Sequence, residues 1–445
     1  MKGLTTLVLA LTVSIGLNTP VFAAAYKPGE IIVKFKPRAA AASAAGLTDT
    51  SRAYAVAVDD TAQALAELAD RDDVAYAEPN YVIAAETVPN DWPYTSGEWA
   101  DVSLSAAWNF IDTRATGATV RIAVVDSGAD LDHPELVDVL IDGHDFANGD
   151  GTPEDDAGHG TRVCGVIGAL GNNYVAGVSK TAGVAWNVPL EIMPLKFMKK
   201  SGSDTTGYTS DAVDAVYYAV DHGADIINAS WGFDSYSSAL KDAIAYARDH
   251  GVLFIASAGN NGEDNDTVAH YPSNYQLSNV IAVAAMNRYG ELASFSNYGE
   301  YSVHIAAPGS SLKTTDLGGG TTSGASGTSF AAPWVSAVAA MVVSQNPDLS
   351  MSAVRTRILE GSLMEADYGE TLLASGGCVN AYNALAAVKV HDLDDTSGWS
   401  APQAQSVDDG EAAGEGGGGG GGCFIRTAHA GGGLTFLLLA LTLVA

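Results

Sequence analysis

Short apolar runs and helical patterns alternate through the middle of the chain. Residues 210–222 and 238–250 have helical patterns that each end in a His-Gly pair, and the glycine predicts the helix stop. The apolar runs predict buried strands at residues 120–125, 190–195, 225–228, 252–256 and 280–283. This alternation predicts an α/β fold with a mostly parallel central sheet, covered by helices on both faces. We expect an active site at the carboxyl ends of its strands.

A smaller unit precedes this pattern. Residues 31–36 and 74–81 predict strands, and residues 61–69 predict a helix between them. Two strands and one helix bury little surface. We therefore expect a small α+β unit that needs the larger domain to stay folded.

Both ends of the chain carry patterns of their own. Lys2, the apolar run after it and the small residues near Ala23 predict a secretory signal peptide over residues 1–25, with an uncleaved anchor as the alternative. Residues 391–422 form an acidic linker that runs into a glycine tract, where no packed core can form. Residues 423–445 end in an apolar run that is short for a full membrane span.

Composition narrows the possible partners. The chain has 52 acidic and 22 basic residues and a formal net charge of −30. A phosphate backbone needs a basic face, so we expect no nucleic-acid partner, whereas an acidic surface suits secretion and calcium binding. The cysteines at 164, 378 and 423 are too few for a disulfide framework, and without a Cys-x-x-Cys pair a zinc-thiolate site is not expected.

Three motifs carry the chemistry, in the order Asp, His, Ser. Asp126 ends a buried strand in Val-Val-Asp-Ser-Gly, His159 opens a helix in Gly-His-Gly-Thr, and Ser329 opens another in Gly-Thr-Ser. A serine hydroxyl needs a base, a histidine titrates near neutral pH, and a buried carboxylate fixes the histidine tautomer. Each motif alone is weak, since Ser before a helix is commonly a cap. Together they predict a serine nucleophile with a histidine base.

The motifs resemble the subtilisin-like serine peptidases, and within them the thermitase group. The match covers residues 88–390 and also includes Ile-Asn-Ala-Ser-Trp-Gly at 227–232 and Ala-Gly-Asn at 258–260. It implies the subtilisin-like three-layer fold and a monomeric endopeptidase that hydrolyses proteins and peptides through an acyl-enzyme. Asn260 would complete the oxyanion hole with the Ser329 amide, although Gly-Asn also occurs in turns.

The resemblance also places a substrate cleft. A loop over residues 201–207 would lie beside the bound peptide as an added strand. Two segments would form the sides of the specificity cleft and a histidine would lie near its floor, namely Ser230, Trp231, Gly232, Ser257, Ala258, Gly259 and His270.

Residues 145–154 place oxygen-bearing side chains at short intervals in a glycine-containing loop, which suits Ca²⁺, although a solvated acidic loop has the same composition. The resemblance implies structural calcium there, with the ligands Asp145, Asn148, Asp150, Thr152 and Glu154. It implies a second calcium site at Asp91, Glu135 and Asn173. At that site Glu135 replaces the family's usual Asp, and extra residues follow Asn173.

Other positions depart from the family pattern near His159. Arg162 and Trp334 each stand where the family usually has a histidine. Neither belongs to the triad, so catalysis should survive with altered packing and electrostatics. Cys164, on the helix that His159 opens, is interpreted as a small buried apolar residue.

The resemblance extends to both ends. Residues 26–87 resemble the family's inhibitory propeptide, cut between Tyr81 and Thr87, with a permanent small domain as the alternative. Residues 423–445 resemble a bacterial sorting tail handled by envelope machinery, with a disordered tail as the alternative. The protein is therefore expected outside the cell or on its envelope. Two other functions stay open, an inactive relative that only binds peptides and a surface-layer or adhesion protein; the complete set of motifs favours the enzyme.

Overall fold

The computed structural model describes residues 26–36, 54–69, 71–81, 88–94, 102–112, 117–176, 178, 180–364 and 372–390. The predicted signal peptide, the predicted cut between Tyr81 and Thr87, the acidic linker and the C-terminal segment lie outside these residues. Within the described part, no helix is long and apolar enough to cross a membrane.

The N-terminal unit is a small antiparallel sheet with one helix. Its strands lie in the order β2-β1-β3, and β1 pairs with both neighbours. Its core is small: Val33, Phe35 and Val74 form one buried apolar cluster, and Ile31 is buried as well. The elements are β1 (Tyr26–Phe35), β2 (Tyr54–Ala57), α1 (Thr61–Ala69) and β3 (Val74–Tyr81). The α+β prediction is confirmed, and β2 is the strand that the sequence pattern did not indicate.

A nine-stranded sheet forms the centre of the larger domain, in the order β15-β16-β12-β11-β10-β9-β4-β6-β5. Among the described strands of this sheet, the β15–β16 pair is antiparallel and the other pairs are parallel. The strands are β4 (Val120–Asp126), β5 (His144–Asp145), β6 (Leu190–Lys196), β9 (Ile226–Ala229), β10 (Leu253–Ser257), β11 (Val280–Met286), β12 (Ile305–Pro308), β15 (Leu363–Met364) and β16 (Gly377–Cys378). The predicted, mostly parallel sheet is confirmed.

Helices cover both faces of this sheet. Successive strand residues point to opposite faces, so Val124 joins one apolar core and Val125 joins the other. The first core takes side chains from α3 and α6, and the second takes them from α4 and α5. The helices are α2 (Leu104–Asp112), α3 (His159–Gly168), α4 (Thr209–Asp221), α5 (Ser238–Asp249), α6 (Thr328–Gln345), α7 (Met351–Glu360) and α8 (Ala381–Ala386). Two cores around one sheet give the expected three layers.

The two His-Gly pairs end their helices as predicted. His222 and His250 are the C-terminal caps of α4 and α5, and Gly223 and Gly251 follow with φ angles of +76° and +74°. Glycine reaches this left-handed region without a Cβ clash. In both helices the cap histidine also bonds through Nδ1 to the carbonyl oxygen four residues earlier, at 2.8 Å.

Two antiparallel hairpins lie outside the central sheet. The first joins β7 (Met198–Ser201) to β8 (Asp204–Gly207) and includes the loop expected beside the substrate. The second joins β13 (Leu312–Asp316) to β14 (Gly320–Ala325), and α6 follows it. Both hairpins therefore lie close in sequence to residues with a predicted role.

Candidate active site

Asp126 and His159 meet where β4 ends and α3 begins. The Asp126 side chain is 0% exposed, and its Oδ1 lies 2.8 Å from His159 Nδ1. The backbone N–H of Ser127 donates to the same oxygen at 2.7 Å. A histidine that donates from Nδ1 keeps an unprotonated Nε2, so this contact selects the tautomer that can act as a base.

Glycines allow β4 and α3 to approach each other. A Cβ on Gly160 would lie 2.1 Å from Gly128 O. Gly128 has a φ of +100°, and a Cβ there would lie 2.3 Å from the carbonyl oxygen of Pro153. A side chain at Gly160 would therefore push α3 away from the end of β4, and one at Gly128 would displace the Pro153 backbone. Steric crowding thus explains why Gly128 of the Asp-Ser-Gly motif and Gly160 of the Gly-His-Gly motif are glycines.

Charges around His159 set its pKa. Burial lowers the pKa of His159, but the charge and hydrogen bond of Asp126, with the charge of Asp155, more than offset this and raise the pKa above its ordinary value. The Arg162 guanidinium acts in the opposite direction and lowers the pKa. Arg162 is held by Asp316 at 2.8 Å. The departure from the family pattern at position 162 therefore adds a cation that acts on His159.

Ser329 is half-buried in the first turn of α6. Its carbonyl oxygen accepts a hydrogen bond from Ser230 Oγ at 2.7 Å. Ser230 Oγ in turn accepts from Asn228 Nδ2 at 2.9 Å, and Asn228 Oδ1 accepts from Ser336 Oγ at 2.9 Å. This chain of bonds ties the backbone of Ser329 to β9 and to the next turns of α6. The sequence analysis gave no role to Asn228 and Ser336, although Asn228 is the one polar residue of β9 and Ser336 follows an apolar stretch of α6.

Asn260 lies beside the same helix end. Its Oδ1 accepts from Thr328 N at 2.8 Å and from Thr328 Oγ1 at 3.1 Å. These donors fix the oxygen end of the amide, so Nδ2 is left to donate elsewhere, and the residue is exposed. A Cβ on Gly327 would lie 3.6 Å from Asn260 Nδ2 and 3.7 Å from Ser329 N. The two amide groups assigned to an oxyanion hole therefore lie near one another.

The residues assigned to the cleft are also brought together. The His270 ring lies between the two expected side segments: a Cβ on Gly232 would be 2.0 Å from His270 Cε1, and one on Gly259 would be 3.1 Å from His270 Cδ2. Burial lowers the pKa of His270, although the charges of Asp234 and Glu263 raise it in part. The ring is accordingly a neutral group between the two segments at neutral pH.

The other cleft residues are mostly buried. Trp231 packs against Phe197 with ring centroids 4.8 Å apart, and its indole N–H donates to Val125 O at 2.7 Å. Ser257 Oγ lies 3.4 Å from Trp231 O, and Ala258 is fully buried. Their side chains support the segments from behind, so the backbone and Gly232 remain to meet a ligand.

A buried carboxylate that the sequence reasoning did not single out connects the two motifs. Asp155 is 5% exposed and accepts five hydrogen bonds, two of them from the N–H and Oγ1 of Thr161. Another comes from Ser127 Oγ, which accepts from Gly160 N. Asp155 thus joins the end of β4 to the start of α3.

In the first predicted calcium loop, oxygen-bearing side chains form hydrogen bonds with residues two or three positions away in the loop. Asp145 accepts from both N and Nδ2 of Asn148, and Asp150 accepts from Thr152 N. Glu154 is largely exposed, but the burial of part of its side chain, together with the charges of nearby aspartates, raises its pKa. In the described residues, no group of three or more His, Cys, Asp or Glu side chains is arranged to hold a metal. The oxygen-only donors suit calcium.

The second predicted calcium site contains a cation of the chain itself. Lys180 Nζ lies 2.6 Å from Glu135 Oε1, and Asn173 Nδ2 donates to Glu135 Oε2 at 2.9 Å. Asp91 Oδ1 accepts from Asn172 N at 3.0 Å. Glu135 and Asn173 are therefore in contact, and Asp91 bonds to the residue before Asn173. An ammonium group occupies the position beside Glu135, and this donor set does not fit the calcium site that the resemblance implied.

The comparisons with known proteins agree with this geometry. A model of the subtilase family matches residues 117–399, well over half of the chain. The chain belongs to the subtilase family. A model of the fervidolysin N-terminal prodomain matches residues 15–80 of this subtilase. The predicted family, its subtilisin-like fold and the prodomain resemblance are therefore confirmed.

Relatives of this subtilase include a protein named as a serine proteinase. It is 34% identical over 374 residues to the thermophilic serine proteinase of Bacillus sp. (strain AK1), covering 81% of this chain and 88% of that protein. It is 36% identical over 300 residues to thermitase of Thermoactinomyces vulgaris, covering 67% of this chain and 99% of that protein. A solved protease structure from Pseudoalteromonas arctica PAMC 21717 is 27% identical, with a TM-score of 0.54 over 68% of this chain and 99% of that one. The subtilase is thus a serine peptidase; the matched models end at residue 399, and the sorting-type tail stays a prediction.

Proposed function

We propose that this subtilase is an exported endopeptidase that uses Ser329 as nucleophile, His159 as base and acid, and Asp126 as the group that orients the base. The observation that carries the proposal is the 2.8 Å contact between Asp126 Oδ1 and His159 Nδ1. The His159 ring also lies 5.6 Å from the ring of Phe330, the residue after Ser329. This contact with the residue after Ser329 supports a base and a nucleophile that act together at the carboxyl edge of the sheet.

The chemistry follows from these positions. As Ser329 Oγ bonds to the peptide carbonyl carbon, its proton moves to His159 Nε2. The resulting oxyanion accepts from Ser329 N and Asn260 Nδ2. His159 then gives the proton to the leaving amine as the C–N bond breaks, which leaves an ester on Ser329. A water molecule repeats the sequence on the ester and restores the free serine.

A fluorophosphonate probe and casein test this mechanism. We expect the protein to cleave casein and to be labelled at Ser329, and we expect S329A to do neither. N260A should still be labelled, but its kcat should fall by ~10²–10³-fold, as removal of one such donor does in subtilisin. An unlabelled, inactive protein with a native circular dichroism spectrum would leave the peptide-binding relative as the better description.

We also propose that residues 26–87 act as an intramolecular inhibitor that is cut between Tyr81 and Thr87. The prodomain match and the antiparallel sheet of β1, β2 and β3 support this. In the active protein, N-terminal sequencing should find a new terminus between residues 82 and 88, while S329A should keep the segment. An active protein that keeps its N-terminal segment intact would make the segment a permanent domain.

Calcium at the first loop is a third part of the proposal. Gly149 and Gly151 have φ angles of +70° and +79° with open space around them, which lets the loop wrap a cation. The residues that would hold it are Asp145, Asn148, Asp150, Thr152 and Glu154. A chelator should lower the melting temperature of S329A, and D150N should remove most of that effect. An unchanged melting temperature would reject calcium binding.

The two ends of the chain have proposed roles in export and anchoring. We propose that residues 1–25 direct export and are removed, and that residues 391–422 link the peptidase domain of residues 88–390 to a sorting or anchoring segment at 423–445. Deleting residues 391–445 should release active enzyme into the medium. Lost activity would show that the tail does more than anchor the protein.

A further inference from the structure

The second predicted calcium site contains two buried carboxylates and one half-buried ammonium. Asp91 and Glu135 are 6% and 2% exposed, and the side chain of Lys180 is 14% exposed. Its ammonium lies 2.6 Å from Glu135 Oε1. Buried carboxylates need a compensating cation, so the source of the positive charge is a structural question.

We propose that the Lys180 ammonium replaces a divalent cation in this cluster. An ammonium donates three hydrogen bonds at most, and Lys180 Nζ donates one of them to Glu135 Oε1. Asp91 Oδ2 and Asn173 Oδ1 are the two buried oxygens of the cluster that have no hydrogen-bond partner within the described part of the chain. The cluster thus has two further acceptors for a cation, and the one cation in contact with its Glu135 carboxylate in the described residues is the Lys180 ammonium.

Charge balance supports the replacement. With Lys180, the two carboxylates and the ammonium sum to one negative charge. A calcium ion added beside Lys180 would make the sum positive and would place a divalent cation next to an ammonium on the same carboxylate. Little water enters this buried cluster, so the repulsion is weakly screened.

The local sequence provides the means. Lys180 lies in the extra residues that follow Asn173, and its carbonyl oxygen accepts from Lys313 Nζ at 2.7 Å, which anchors its backbone to β13. Glu135 is one methylene longer than aspartate, and Leu170 N bonds to its backbone carbonyl at 2.9 Å. The longer side chain and the inserted loop together bring carboxylate and ammonium into contact.

Calcium counting tests the proposal without using activity. Full-length S329A, in which autolysis is blocked, is freed of metal and then titrated with CaCl₂ by calorimetry, alone and with K180M, K180R or K180M/E135Q. We expect K180M to bind one more calcium ion per chain than S329A, and to lose more thermal stability in EDTA. K180R keeps a cation, and K180M/E135Q removes a ligand, so both should bind the same number as S329A.

Two outcomes of the calcium titration would overturn the proposal. If K180M binds no additional ion, or if E135Q alone removes one ion from S329A, Lys180 does not replace calcium. Should K180M fail to fold, the E135Q comparison decides, because it leaves Lys180 in place: an unchanged count supports the proposal. Calcium at the first loop is removed separately by D150N and does not affect the difference between these variants.

Discussion

Replacing Asp155 by asparagine is the sharpest test of how the two catalytic motifs are held together. Asp155 Oδ1 accepts from Ser127 Oγ, Ala157 N and Gly158 N at 2.8–2.9 Å. Its Oδ2 accepts from Thr161 N at 2.9 Å and from Thr161 Oγ1 at 2.6 Å. Asparagine keeps the shape but offers one oxygen and an NH₂ group, so the two sides of the carboxylate can be separated.

The geometry gives the size of the effect. The amide oxygen can keep the three Oδ1 bonds, but the NH₂ group would face the Thr161 N–H. Thr161 Oγ1 already accepts from Asp130 N at 2.9 Å, so rotation of the hydroxyl relieves only part of the conflict. One buried backbone donor without a partner costs ~1–3 kcal/mol, and the weaker bonds of a neutral acceptor bring the expected loss of unfolding free energy to about 2–4 kcal/mol.

Asp155 also acts on the catalytic base. Its charge helps to raise the pKa of His159, so the D155N substitution lowers that pKa. The base must be neutral to act, and the acid limb of the pH profile of kcat/KM should therefore move to lower pH. This shift is an electrostatic effect that a general loss of packing would not produce.

Two assays measure these effects. Urea denaturation of D155N in the S329A background gives the unfolding free energy, and kcat/KM between pH 5 and 9 for the active enzyme gives the limb. D249N, which removes one negative charge from a side chain that is 63% exposed, is the control and should change neither. Unchanged stability and an unchanged limb in D155N would refute the reasoning.

Three other predictions follow from the surroundings of the site. R162M removes the cation that lowers the pKa of His159, so the acid limb should move to higher pH, and a shift to lower pH would contradict it. Burial, with the charges of Asp126 and Asp155, raises the pKa of Cys164 well above its usual range; the native enzyme should resist iodoacetamide at this thiol, and mass spectrometry showing rapid labelling would be contrary. H270G should open the space between the cleft segments and raise kcat/KM for peptides with a large side chain before the cut by ~10-fold relative to those with a small one, measured with a peptide library.

The fold was largely predictable because its signals are local. The runs that form β4, β6, β9, β10 and β11 are apolar and short, and the helix stops at Gly223 and Gly251 follow from the conformation of glycine. The glycines beside Asp126 and His159 belong to the same class of signal. Strands such as β12 and β16 were missed because they are short, with four and two residues.

The site was less predictable where its contacts cross long stretches of chain. Asp155 bonds to Ser127 and Thr161, and Asn228 bonds to Ser336, but no sequence pattern identifies these partners. The family pattern suggested calcium at Glu135, but it contained no position for Lys180, which belongs to an insertion. Polar residues at such points were visible in the sequence, and only the fold shows what they bind.

The aromatic contacts of Trp92 bear on the moment at which the precursor is cut. Its ring lies 4.9 Å from that of Trp108 and 6.1 Å from that of Trp334, which is buried in α6. Tyr94 follows with a hydrogen bond from Lys313 N to its hydroxyl at 3.1 Å. A cut anywhere in residues 82–87 would leave this anchor whole. The residues just after the new N-terminus would stay packed against the helix that carries Ser329, so release of the cut segment would not detach them from the enzyme.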